Sequence, residues 1–154
     1  MDEDILTCSY SADSHRHAIL ADDGFTGIVY LHAPSDDPRV TGEVQATCFA
    51  YNRIDPIEPG DVPKYRPKPP PIAKGYASKL AVCREPSAHA WQVVFAADGA
   101  AVLLTKDGEP WAIVSLEASR GLSKAIEVPG PWGAPWSDEA YQAMQWTGRA
   151  NRCS

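Results

Sequence analysis

His17-Ala18-Ile19-Leu20-Ala21-Asp22-Asp23-Gly24-Phe25-Thr26-Gly27-Ile28-Val29-Tyr30-Leu31-His32-Ala33 reads as two apolar strands around an Asp-Gly turn. Glycine supplies the positive φ that a tight hairpin needs, so 17–21 and 25–33 are expected to pair antiparallel. Pro34-Ser35-Asp36-Asp37-Pro38 follows and is a loop by composition. From Val40 to Ile54 the side chains alternate. Val40, Gly42, Val44, Ala46, Cys48 and Ala50 take one face; Thr41, Glu43, Gln45, Thr47, Phe49 and Tyr51 take the other. A period of two predicts a strand with its small residues inward and a mostly polar face outward. Phe49 and Tyr51 break that outer polarity, and each needs cover or a partner.

Strand patterns return at 76–84, 90–96, 100–105, 111–118 and 123–128, with breaks at Glu85-Pro86-Ser87, Asp98-Gly99, Lys106-Asp107-Gly108-Glu109 and Arg120-Gly121. Short strands separated by Gly-bearing turns predict an antiparallel meander. Trp91, Val93 and Phe95 share one face with Val94 opposite, and 111–116 is apolar on both faces. Such strands need cover on both sides.

Two other segments complete the chain. Residues 55–75 form a Pro-rich connecting loop, with Pro56, Pro59, Pro63, Pro67, Pro69, Pro70 and Pro71 among the chain's 14 prolines. Proline fixes φ and removes a donor, so an extended crossing is expected there, polyproline-like at Pro69-Pro70-Pro71. Lys64, Arg66 and Lys68 make it locally basic. Near the end, Ser137 is a good N-cap, followed by Asp138 and Glu139, and Trp136 and Tyr141 stand at hydrophobic-staple spacing. These predict a helix over 137–148, stopped by Gly148 and packed on the sheet.

The expected fold is mainly β (α+β): about eight antiparallel strands as a meander barrel or a curved sheet or sandwich, plus one C-terminal helix. The 154 residues suit a single domain, 1–154, with 1–15 as a flexible N-terminus. A hydrophobic share of 44% with 22% charged residues is that of a globular chain. The net charge of -6 disfavours nucleic acid, which needs a basic field. No apolar run reaches the roughly 20 residues of a membrane span. Cys8, Cys48, Cys83 and Cys153 form no C-x-x-C pair, and the acidic start, Met1-Asp2-Glu3-Asp4, lacks signal-peptide character. Reduced thiols in a cytoplasmic setting are therefore expected.

Chemistry-bearing patterns are sparse. Cys8, His15 and His17 make C-x6-H-x-H, without a standard spacing or a fourth ligand, so no metal is expected. There is no G-x-S-x-G, no phosphate-binding glycine loop and no H-E-x-x-H, so no catalytic residue is assigned and no cofactor is expected. His32 shares a face with Ile28 and Tyr30, and a pairing of His32 with Cys48 would need adjacent strands. Asp22-Asp23 and Asp36-Asp37 lie in turns that select Asp. Pro129-Gly130-Pro131-Trp132-Gly133-Ala134-Pro135-Trp136 holds two tryptophans on a stiff loop, and rigid aromatics are what interfaces use as anchors. The leading expectation is a non-enzymatic, acidic protein-binding domain, of the inhibitor or immunity type, that neutralises a basic partner. Its binding residues would be Trp132, Trp136, Phe49, Tyr51, Asp22, Asp23, Asp36 and Asp37. The alternatives are a β-barrel carrier for a small-molecule ligand, and a small hydrolase or isomerase with a pocket near His32.

Overall fold

In the computed structural model, which describes residues 4–147 and 151–152, the Asp-Gly turn closes the expected hairpin. Four strands form an antiparallel meander, β1 (Asp4–Ser11), β2 (Arg16–Asp22), β3 (Thr26–His32) and β4 (Val44–Asn52). At the β2–β3 turn Gly24 has φ 95°. Asp23 Oδ1 accepts from the Phe25 and Thr26 amides at 2.9 Å each, so the carboxylate carries the turn. The N-terminal stretch departs from the expectation of flexibility. Residues 4–11 pair with β2 along their length, Leu6 packs on the core, and Ser9 Oγ donates to the Val93 carbonyl at 3.3 Å. The polar Thr7-Cys8-Ser9 run conceals a strand whose partners lie elsewhere in the chain.

A second sheet holds β5 (Trp91–Phe95), β6 (Ala101–Lys106), β7 (Glu109–Ser115) and the two-residue strands β8 (Leu122–Ser123) and β9 (Ala134–Pro135). All neighbours in it are antiparallel except β8 and β9, which run parallel. The expected strand at 76–84 is absent, leaving isolated bridges at Ala77 and Val82. Ser78 turns the chain there: its Oγ accepts from the Leu80 amide and its carbonyl from the Ala81 amide. Ser123 cuts the 123–128 strand short in the same way, accepting from the Ala125 and Ile126 amides. A serine hydroxyl that bonds the backbone two residues on competes with the ladder.

The two sheets face each other around a filled core in which Leu20, Leu31, Tyr51, Trp91, Val93 and Leu104 are fully enclosed. This is the two-sheet alternative, and the described strands form no closed barrel. Two bulges feed that core. Tyr51 pairs with Gly27 and Phe49 with Ile28, leaving Ala50 unpaired. Leu104 pairs with Ala112 and Thr105 with Pro110, leaving Trp111 unpaired. An extra residue shifts the alternation by one, so Tyr51 and Trp111 both join the core between the sheets.

The outer face of the first sheet has its own cover. Ile28 and Phe49 lie under Ile57, Ile72, Ala73 and Trp132. The Pro-rich crossing is pinned there by Asn52, whose amide donates to the Ile72 carbonyl at 3.0 Å and accepts from its N–H at 2.8 Å. Part of this crossing is a 3-10 helix, Pro59–Tyr65, where extended chain was expected.

The C-terminal α1 (Asp138–Gln142) is shorter than the predicted 137–148. Ser137 caps it, accepting from the Ala140 amide at 3.2 Å, and the Trp136 and Tyr141 rings meet at 5.7 Å. The helix ends because its sequel is claimed by β5: Ala97 donates to the Gln145 carbonyl and Thr147 to the Phe95 carbonyl. Residues 143–145 line a hollow with Ala101 and Ser115, a cross-strand pair on the outer face of the second sheet. That placement puts the C-terminal segment over the outer face, as the both-sided apolarity of β7 requires. A short strand β10 (Asn151–Arg152) pairs with β1 at the edge of the first sheet. Gly148, the expected helix stop, lies outside the described residues.

Candidate functional site

The eight residues singled out in the sequence fall into three groups. Asp22, Asp23 and Tyr51 turn inward. Tyr51 is fully enclosed and its hydroxyl donates to Asp22 Oδ2 at 2.6 Å. Asp22 Oδ1 accepts from the Gly24 amide at 2.7 Å and lies 3.5 Å from Arg53 Nη1. Burial and the neighbouring Asp22 carboxylate push the Tyr51 phenol far above its ordinary pKa. These are scaffold groups, and an acidic surface cannot draw on Asp22 or Asp23.

Trp132 and Phe49 come together. The Phe49 amide donates to the Trp132 carbonyl at 3.2 Å, and the Trp132 indole N–H donates to the Pro70 carbonyl at 3.0 Å. Gly130 and Gly133 exchange backbone hydrogen bonds, which presents Pro131 and Trp132 as the tip of a tight turn. Around that tip is an apolar hollow of about 280 Å³, lined by Ile28, Tyr30, Phe49, Pro69, Pro70 and Trp132 with their neighbours. Tyr30 is half-buried there. Sequence reasoning did not assign Tyr30 or the two prolines to the site. Period two placed Tyr30 beside Ile28, but the docking of Pro70 on Trp132 links residues 62 apart.

Beyond the same tip runs a groove of about 290 Å³ along β4, lined by residues 44–47 on one wall and by residues 119–121 and 131–133 on the other. The two walls close on each other beyond Thr47, where a Cβ on Gly121 would lie 2.4 Å from Cys48 Cβ. Arg120, exposed, is the charged residue that lines it.

The third group stands apart from this face. Asp36 is exposed in the 34–43 loop. Asp37 is held by Arg39 at 3.1 Å, and that guanidinium keeps its carboxyl below the usual range. Trp136 is half-buried, bonded through its indole to Asp138 at 2.7 Å, with Lys124 Nζ 5.3 Å from its ring centre. In sequence the basic Arg66 and Lys68 precede Pro69 of the hollow, and Lys68 Nζ lies 5.6 Å from the Phe25 ring centre.

His17, His32 and the Cys48 thiol are engaged structurally. His32 Nδ1 lies 2.8 Å from the Gly42 carbonyl, and His17 Nε2 lies 2.6 Å from the Pro38 carbonyl. Cys48 pairs with Val29 while His32 pairs with Val44, so these two side chains do not meet. Burial pushes the Cys48 thiol up to about 12, which makes it a poor nucleophile. Cys48 and Cys83 are free, as expected. Cys8 is disulfide-bonded, which overturns the reduced state expected for it; Cys153 lies outside the described residues. No cluster of three or more His, Cys, Asp or Glu suited to a metal ion occurs among the described residues. No helix among them is long and apolar enough to cross a membrane. Comparison with protein-family models, with curated proteins and with solved structures finds no match to this chain.

Proposed function

We propose that this chain is a non-enzymatic binding domain whose protein partner seats an apolar side chain in the hollow between Tyr30, Phe49, Pro70 and Trp132. The observation that carries this reading is the hollow itself: aromatic rings and prolines around about 280 Å³, held rigid by the Trp132–Pro70 and Phe49–Trp132 hydrogen bonds. Rigid, partly enclosed aromatics lose little entropy on binding, which is what hot spots exploit. The carrier alternative is weakened because the space between the sheets is filled by side chains. The hydrolase or isomerase alternative is weakened because the His32 ring is bonded to a backbone carbonyl.

Neutralisation of a basic partner is a second reading, favoured by the net charge of -6. It would draw on the exposed Asp36 and Glu43, without Asp22 and Asp23. The disulfide at Cys8 favours an oxidising compartment over the expected cytoplasmic one.

The test is capture of the partner from host extract, its identification by mass spectrometry, and titration calorimetry with the purified partner. Tyr30→Ala is expected to weaken binding about tenfold or more, the range of an aromatic hot spot. Asp36→Lys is expected to leave the affinity within about twofold, as rim charges commonly do. The reverse ranking would favour the charge-driven reading and overturn this one.

A further inference from the structure

β4 is the last strand of its sheet, and its outer edge is only partly used. Antiparallel strands direct successive residues' backbone groups alternately toward and away from the neighbour. The Phe49 amide points away from β3, because it donates to the Trp132 carbonyl. Two residues earlier, the N–H and C=O of Thr47 therefore point the same way, into the groove along residues 44–47. Gln45 is the unpaired residue of a further bulge, since Leu31 pairs with Ala46 and His32 with Val44. Val44 thus resumes the outward-facing set, and it is 47% exposed. The segment Val44-Gln45-Ala46-Thr47 carries neither charge nor proline, two of the devices by which proteins protect an open edge, and has only the Gln45 bulge of that kind.

From this geometry we infer that the groove accepts an extended segment of the partner as an added strand on β4, with a carboxylate side chain directed at Arg120. The inference rests on the protein-binding reading above and specifies its mode. The far wall, at Gly121 and Gly133, leaves a slot bounded on both sides. A single extended chain is the occupant proposed for it. Arg120 lines the slot exposed, with no carboxylate among the described lining residues, so an occupant that brings a carboxylate gains a complementary charge. Main-chain hydrogen bonds to Val44 and Thr47 supply affinity, and the Arg120 contact with the adjoining Trp132 hollow supplies choice of sequence.

The test selects binders from a displayed random dodecapeptide library against the intact protein. Recovered peptides are then synthesised with and without N-methylation at alternate positions. Support consists of peptides with an acidic residue at a fixed place, weakened tenfold or more by Arg120→Glu and by N-methylation in one alternating register only. Protection of the Thr47 amide from hydrogen exchange on binding completes it. Peptides that bind with Thr47 unprotected but shift Tyr30 and Trp132 signals would overturn strand addition and leave the hollow reading intact. Failure to select any binder would count against both. Thr47 protection that grows with protein concentration in the absence of peptide would make the occupant a second copy, and would also overturn the inference.

Discussion

Trp111 donates its indole N–H to the Ala50 carbonyl at 2.7 Å, and each is the unpaired residue of a β-bulge, one in either sheet. A bulge leaves backbone groups without ladder partners, and here the bulge of one sheet is satisfied by the bulge of the other. The same two kinks bring Tyr51 and Trp111 inward, where Trp91 touches both, with ring centres 5.3 and 5.9 Å away. The joint fixes how the sheets sit on each other and hence where β4 meets the Trp132 turn.

Trp111→Phe keeps most of the ring volume and removes the donor. The Ala50 carbonyl would then be buried and unpaired, at a cost of about 1–3 kcal/mol. Urea unfolding is expected to show that loss; an unchanged midpoint would mean that the bond does not join the sheets.

Tyr51→Phe removes the hydroxyl that satisfies Asp22 Oδ2. Hydrogen bonds to charged groups contribute about 1.5–3 kcal/mol, and a loss in that range is expected by chemical denaturation. Gly27→Ala attacks the same ring from the other side, since its Cβ would fall 2.2 Å from the Tyr51 ring atoms. Overpacking of this kind costs about 1–3 kcal/mol, so both variants should unfold at lower urea than the parent.

Alkaline pH should destabilise the fold in two stages. Cys48 and Tyr51 have folded pKa values raised above their ordinary 9.0 and 10.0. Each therefore contributes stability in full below its unfolded value, and that contribution is lost as pH rises. The Cys48 share fades between 9.0 and about 12; the Tyr51 share begins to fade above 10.0. The unfolding midpoint is expected to be flat up to pH 9 with respect to these two groups and to fall beyond it. Tyr51→Phe should show a shallower fall above pH 10, and an identical slope in parent and variant would contradict the assignment.

Thiol alkylation separates the cysteines. In the native protein Cys83, half-buried, is expected to react before the enclosed Cys48, and Cys8 only after reduction. Peptide mapping after timed iodoacetamide treatment reads the order. Ready labelling of Cys8 without a reductant would contradict its oxidised state.

Elements governed by local chemistry were legible in the sequence, and those governed by partners were not. Asp22-Asp23-Gly24 announced the hairpin, and Ser137 its helix, because turn and cap are settled within a few residues. The alternation of Trp91, Val93 and Phe95 likewise read directly as a core face. The strand β1 was hidden because Thr7, Cys8 and Ser9 gain their order from β2 and from Val93. Tyr51 read as outward by parity, and only the bulge at Ala50, set by pairing with Gly27 and Ile28, reverses it. The stiff loop around Trp132 was recognisable as unusual and Phe49 as in need of cover. That Pro70 and Trp132 provide that cover is a tertiary fact with no local signature.

The most direct test of the account is backbone and indole NMR of the isotope-labelled protein titrated with its purified partner. The account predicts shifts concentrated at Tyr30, Thr47, Phe49 and the Trp132 indole that persist when salt is raised, with only the Arg120 contribution to affinity screened. Shifts confined to the 34–43 loop, vanishing at high salt, would contradict it and move the binding face to the acidic surface.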